Sequence, residues 1–571
     1  MYNAMMMMNK TQKSLAKGAA ILAGMGFVSK IIGAVYTIAT TSIVGTHGMS
    51  YYTTAFPVYT FLLAISSAGL PVAISKMVSE RTALGDYKAA NAVFSKAAKS
   101  MVVIGLVTTI LMAGLSRPIA TILGRPDASM TIQAIAPSLF FVAIISAYRG
   151  YFQGMQQMVP TAVSQFIEQV VKAIAGLLLA SLWISKGEIY GAAGAVLGIT
   201  ISEFFALVYL AVRYQVRKAE FQTQIASEHY ADLTKNIGRK LIILATPIIV
   251  GACAMPIVQL ADTAIITNTL NSMRSIVLFG KEVILNARIV DSLFSLLTAY
   301  VNPIINMPAV FSLALAVSLV PSISASKARS DQEGISKKAG IGLKLSMLIG
   351  LPCAAGLYLM STPIIHLLFA KLKGDDLFIA GNLLKIMAIA VLFLTILQTM
   401  TGILQGLGKT YLPVINLFIG IGVKILASIF LIRIPGINIQ GAAYGTVACY
   451  AIAALLDVIC VIKYTKARPR IVQDLLKPIL ATVGMGLVVY ILMPQVPSGE
   501  YSRLVTIGVI LIAVVAYVLF TFLFGAINRE DMDYLPGGKR ITPILIKLKI
   551  WRADAGAKNE TVSETRDTRN T

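Results

Sequence analysis

Charge is scarce in this chain. Of 571 residues, 13% are Asp, Glu, Lys or Arg, against about 25% in an ordinary soluble protein. Histidine (three residues), tryptophan (two) and cysteine (four) are rare as well. The cysteines, Cys253, Cys353, Cys449 and Cys460, lie in or near apolar runs without Cys-x-x-Cys spacing. That pattern indicates neither a disulfide framework nor a thiolate metal site. His47, His229 and His366 are too scattered for a histidine metal site. No glycine loop ends in Lys-Ser/Thr, so no phosphate-cradling ATPase motif is present. No Ser/His/Asp set can be assembled either. Neither an enzyme nor a bound cofactor is expected.

Hydrophobic residues, by contrast, make up 57%, and the mean hydropathy is +0.77. A membrane span needs about 20 apolar residues. Apolar runs fall at about 18–44, 52–75, 92–115, 130–150, 160–184, 190–212, 241–265, 298–325, 339–362, 378–404, 411–432, 441–463, 476–493 and 503–526. The expectation is an all-α polytopic membrane protein of about fourteen transmembrane helices. The first run is too long for a signal-peptide core and reads as a retained helix. The least regular stretch, 266–300, reads as an extracytoplasmic loop with an amphipathic helix. Within the polar tail, Lys539 to Trp551 reads equally as a short interfacial helix or as solvated chain.

The net charge is +23. Basic residues crowd alternate loops: Lys76, Arg81, Lys88, Lys96 and Lys99 in one, and Arg213, Arg217, Lys218, Lys235, Arg239 and Lys240 in another. The 326–338 and 463–477 loops are similarly rich, whereas 45–51 has none and 184–190 has only Lys186. By the positive-inside rule both termini are cytoplasmic. The charge is then topogenic and lipid-facing, and a nucleic-acid partner is not expected.

The chain repeats itself. Gln153-Gly154 recurs as Gln405-Gly406, Pro160 as Pro413, Lys172 as Lys424, Gly191-Ala192-Ala193 as Gly441-Ala442-Ala443, and Pro71 as Pro321. Nearly constant spacing predicts two parallel six-helix repeats plus two C-terminal helices. The boundaries read as 1–225 and 226–465 for the two lobes, 466–527 for the last two helices and 528–571 for a cytoplasmic tail.

Paired six-helix bundles suit an alternating-access transporter. Ionisable residues at membrane depth are then the candidates for its site. Lys30 lies halfway along the first run and reads as cavity-facing. Glu168 and Lys172 are spaced i,i+4 in the fifth run, so they share a face. Lys424 repeats Lys172, but Gly420 stands where Glu168 would be, leaving Lys424 without an in-helix partner. Lys30, Lys172 and Lys424 together could neutralise a lipid-linked pyrophosphate. Arg149 reads as an end-of-helix anchor or gate contact, and Asp262 as a coupling-cation ligand or loop cap. Arg288 and Asp291 read as a surface pair, and Glu203 and Asp457 as weaker candidates. Pro57, Pro247, Pro303 and Pro308 read as interruptions or hinges.

The segments Gly26-Phe27-Val28-Ser29-Lys30-Ile31-Ile32-Gly33, Ser67-Ala68-Gly69-Leu70-Pro71, Tyr151-Phe152-Gln153-Gly154 and Pro321-Ser322-Ile323-Ser324 resemble one family. It is the stage V sporulation protein B-like, MurJ-type branch of the multidrug/oligosaccharidyl-lipid/polysaccharide exporter superfamily. The resemblance covers all fourteen runs. It implies a V-shaped pair of lobes in the bacterial cytoplasmic membrane that moves undecaprenyl-linked cell-wall intermediates, typically lipid II, from the inner to the outer leaflet. The implied partners are membrane lipid and a lipid-linked oligosaccharide, and a monomer is expected. The family's Ser-Arg of the first helix stands here as Ser29-Lys30. Its further cavity cations have no charged match at Tyr36, Ala64 or Pro303. Some members bind a coupling monovalent cation through residues matched here by Asp262 and Asn416, with Gly420 in place of a second acid. Capsule- or teichoic-type flippases, a cation-coupled drug exporter and a membrane-embedded transferase are the rivals. The last lacks any visible catalytic cluster.

Overall fold

The computed structural model describes residues 2–221, 237–467, 470–493 and 502–527. The reading of Lys539–Trp551, and most of the loop before Lys240, fall outside them. Helices dominate: α1 (Tyr2–Leu63), α2 (Leu70–Ala83), α3 (Tyr87–Gly114), α4 (Ser116–Ile122), α5 (Ser129–Gly154), α6 (Met158–Trp183), α7 (Glu188–Phe221) and α8 (Ile237–Asn271). An antiparallel hairpin follows, β1 (Ser275–Leu278) and β2 (Lys281–Ile284), with Ser275 opposite Ile284. Then come α9 (Ala287–Ser295), α10 (Asn302–Ala328), α11 (Gln332–Leu359), α12 (Ser361–Leu368), α13 (Gly374–Gly406), α14 (Tyr411–Ile432), α15 (Gln440–Thr465), α16 (Lys477–Leu492) and α17 (Ser502–Leu523).

Among the described residues, thirteen helical stretches are long and apolar enough to cross a bilayer. The first, Val28–Ala83, has 56 residues. At 1.5 Å per residue that is about 84 Å, more than twice a hydrocarbon core of about 30 Å. It therefore holds two of the expected crossings. Within α1 the break is at Gly45 (φ 77°, ψ 177°), a conformation outside the helical region that glycine reaches without a Cβ penalty. The chain is a multi-pass α-helical membrane protein.

The duplication is written into the turns. Left-handed residues occur at Gly85, Gly124, Gln156 and Gly187, and again at Ser330, Gly374, Gly408 and Asn438. The first of each set precedes an aspartate that caps the next helix. Asp86 accepts from Ala89 N at 2.8 Å, and Asp331 from Gly334 N at 2.8 Å. Such a cap satisfies one of the donors a helix start leaves open. Helices α5 and α13 both end on glycines that let a neighbour in. A Cβ on Gly154 would meet Ser75 O at 2.7 Å, and one on Gly406 would meet Val320 O at 2.9 Å.

Two compact units interleave along the chain: residues 1–304, 364–387 and 421–449, and residues 305–363, 388–420 and 450–571. In the first, one core gathers Ile74, Phe94, Met101, Ile145, Phe152 and Leu210, and a second gathers Val58, Met112, Ile132, Ile135 and Leu139. In the other unit Leu319, Ile323, Leu345, Met400 and Ile403 form the core. Pro303 lies inside the continuous helical stretch Ala287–Ala328, directly after its π-helical turn Leu296–Val301, a place where helices kink. The 266–300 stretch is more ordered than its composition suggested. It carries the hairpin, and α9 is capped by Asn286, which accepts from Ile289 N at 2.9 Å.

Candidate functional site

Helix α5 carries Arg149, and α6 carries Ser164, Glu168, Gln169 and Lys172. Ser164, Glu168 and Lys172 follow at four-residue steps, so they line one face of α6. Arg149 Nη2 is hydrogen-bonded to the Glu168 carboxylate. Arg149 Nε and Nη2 also donate to Ser164 Oγ, at 3.1 and 3.0 Å. This corrects one expectation and fixes the partner of Glu168. Arg149 is not an end-of-helix anchor, because its guanidinium turns inward to neutralise Glu168. Glu168 does not pair with Lys172, because the planar guanidinium takes the carboxylate and the serine together.

Lys172 therefore has a neutral partner, with Nζ donating to Gln169 Oε1 at 2.6 Å. Its ammonium also stands 5.3 Å from the centroid of the Tyr36 ring, a cation–π contact. Tyr36 is fixed in turn, its hydroxyl donating to Ala195 O at 2.8 Å. Helices α6 and α7 approach each other closely. A Cβ on Gly198 would lie 2.4 Å from Gly176 Cα, which is the small-residue contact typical of membrane helices. Further along α7 this brings Glu203, buried at 8% exposure, against the same cluster. Its Oε2 has no hydrogen-bond partner.

Lys30, on α1, is exposed at the surface of its unit. One turn on, a carbon added at Gly33 would sit 3.5 Å from Gln169 Oε1. Lys30 thus lies on the α1 stretch that faces the Gln169–Lys172 turn.

Lys424 is not the unpartnered cation that its helix suggested. On α14 it forms a buried ion pair with Asp262 of α8. Gly445 of α15 packs close beside it, where a Cβ would lie 3.1 Å from Lys424 O. Asp262 is thereby occupied by an ammonium. The other expected cation ligand, Asn416, donates to Asp457 Oδ1 at 2.8 Å, and Thr401 Oγ1 donates to Asp457 Oδ2 at 2.9 Å. The acid missing at Gly420 is thus matched by Asp457 from the neighbouring α15, which is fully buried. Asp262 and Asn416 belong to two different polar clusters.

Arg288 and Asp291 do not pair. Arg288 Nη2 reaches Glu188 Oε1 at 3.4 Å. Asp291 is buried beside Arg125 (2.5 Å) and His47 Nδ1 (3.1 Å). Burial lowers the Arg125 guanidinium to about 10, with Asp291 opposing that shift. It stays charged at neutral pH. This cluster borders a cavity of about 620 Å³ lined by Thr46, Glu188, Arg288, Lys371 and Asp376 among others. Sequence reasoning missed the network because its members come from four separate loops and helix ends. The one local signal was Arg125, a cation wedged between Gly124 and Pro126.

Comparison with known proteins places this architecture. A family model described as "Polysaccharide biosynthesis protein" matches residues 15–327. The chain belongs to the polysaccharide biosynthesis protein family. A second model, "MatE", matches residues 298–430 of this family member. Lipid II flippase MurJ of Bacillus subtilis (strain 168) is 28% identical over 458 residues, which cover 77% of this chain and 81% of the relative. Stage V sporulation protein B of the same organism is 24% identical over 92% of the chain and 98% of its own length. A solved structure, "Lipid II flippase MurJ, inward closed conformation", superposes with a TM-score of 0.65 at 17% identity, covering 88% of this chain and 98% of that one. The named relatives are a flippase and a sporulation protein, and the solved structure shows that this chain shares its fold.

Proposed function

We propose that this protein flips an undecaprenyl-pyrophosphate-linked cell-wall precursor, with lipid II favoured, from the inner to the outer leaflet by alternating access, in support of peptidoglycan synthesis. The observation that carries the reading is Lys172. An ammonium within a membrane span costs several kcal/mol unless it meets water or a partner. Here the partner is a neutral amide and an aromatic face. Its charge is left for an anionic group, and a compact ammonium suits a diphosphate. Lys30 lies on the helix that faces this turn and would supply a second cation. Arg149 and Glu168 neutralise each other and position the face without adding net charge. Lys424 is likewise neutralised by Asp262, so it adds no free charge to a head-group site.

The name of the Bacillus subtilis relative and the shared fold support the cargo class. A coupling monovalent cation at Asp262 would have to displace the Lys424 ammonium. A cation at Asp457 would meet a carboxylate, an amide and a hydroxyl instead. The test of the reading is depletion in the host, with lipid II then measured on the outer leaflet. Exposure should fall and be restored by the wild-type gene but not by Lys172→Ala or Lys30→Ala. Unchanged exposure in a host without a redundant flippase would remove lipid II as cargo. Full rescue by both variants would remove the lysines from the site.

A further inference from the structure

We propose that Glu203 is a proton-binding site that sets how strongly Lys172 attracts an anionic head group. The proposal rests on the head-group reading above and deepens it.

Glu203 lies within a membrane span and is buried, and its Oε2 has no hydrogen-bond donor in reach. A carboxylate needs several donors or a cation of its own to stay charged in such surroundings. The cation best placed to serve it, Arg149, is bonded to Glu168 and Ser164. The groups facing Glu203 are Arg149 from α5, Glu168 and Lys172 from α6, and the Tyr59 phenol from α1. Of these, Lys172 alone is an ammonium whose hydrogen bond goes to a neutral group.

Charge arithmetic then decides the consequence. With Glu203 protonated, the cluster holds Arg149 and Lys172 against Glu168 and carries one net positive charge. With Glu203 ionised, the cluster is neutral and Lys172 has a carboxylate to turn to. Protonation therefore frees the ammonium, and loss of the proton captures it. By reciprocal linkage, an anion bound at Lys172 must tighten the hold of Glu203 on its proton. Glu203 also faces the Glu168 carboxyl within hydrogen-bond reach, and because Glu168 keeps Arg149, a proton between the two belongs on Glu203.

The experiment has two readouts on the full-length protein. The first is the infrared carbonyl stretch of a protonated carboxyl at neutral pH, taken as the difference between wild type and Glu203→Gln without ligand. The proposal expects a band that the variant lacks, and absence of that band overturns it. The second is binding of undecaprenyl pyrophosphate across a pH series. Wild-type affinity should weaken as pH rises, approaching about tenfold per pH unit where one proton is linked. Glu203→Gln, which holds the neutral shape, should bind as tightly as wild type at low pH and lose that dependence. A variant that keeps the wild-type pH profile overturns the proposal. Lys172→Ala separates the two ideas: wild-type binding by that variant defeats the head-group reading, while the infrared band judges Glu203 independently.

Discussion

At the scale of single residues, the decisive distinction is between cations that have a carboxylate and cations that do not. Lys424 has Asp262. Removing one partner of a buried pair leaves an uncompensated charge and costs about 3–5 kcal/mol, whereas replacing both by apolar residues is close to neutral. Lys424→Met should therefore lower the melting temperature sharply in detergent, and Lys424→Met combined with Asp262→Leu should recover most of the loss. Equal melting of the single variant and wild type would show that the pair adds nothing. The i,i+4 spacing of Glu168 and Lys172 was legible in the sequence. Their partners were not, because Arg149 reaches Glu168 from α5 and leaves Lys172 to Gln169 and the Tyr36 ring. A pattern along one helix reports which side chains share a face, but not what faces them.

At the scale of elements, glycines and turns carry the information. The Gly194-x-x-x-Gly198 and Gly441-x-x-x-Gly445 spacings could be read directly, and the structure uses them for close packing. A Cβ on Gly441 would meet Ile432 N at 2.6 Å, and one on Gly194 would meet Leu179 O at 2.7 Å. Gly198→Ala would press a methyl into the α6 backbone. It should cost about 1–3 kcal/mol and displace Glu203 from Lys172, and thermal denaturation with a binding assay checks both effects. The turns offer the opposite change. Gln156 adopts φ 59° where its repeat counterpart Gly408 has φ 74°. A left-handed conformation costs a side-chain-bearing residue roughly 1–2 kcal/mol, partly offset by the greater chain entropy that glycine loses. Gln156→Gly should stabilise by up to about 1 kcal/mol, read as a higher melting temperature. The duplication was visible in the sequence because these punctuating residues recur. The hairpin over Ser275–Ile284 was not, because four-residue strands give too short an alternation to stand out from a polar loop.

At the scale of the whole molecule, the apolar runs predicted nearly everything about fold class, since each crossing must be a long apolar helix. The first apolar stretch, Val28–Ala83, holds two of these crossings, and the helix breaks between them at Gly45. Orientation follows from the basic loops. In a background with the four native cysteines replaced, a cysteine at Lys88 should react with an impermeant maleimide only from the cytoplasmic side. A cysteine at Lys186 should react only from outside. Labelling in the reverse sense would invert the proposed direction of transport.

The proposed function depends on a positive charge held within a membrane span for a lipid-borne diphosphate. The most direct measurement is the dissociation constant of lipid II for the purified protein in lipid nanodiscs, wild type against Lys172→Ala. A hydrogen bond to a charged group is worth about 1.5–3 kcal/mol, so the variant should bind at least about tenfold more weakly. Equal affinities would contradict the account.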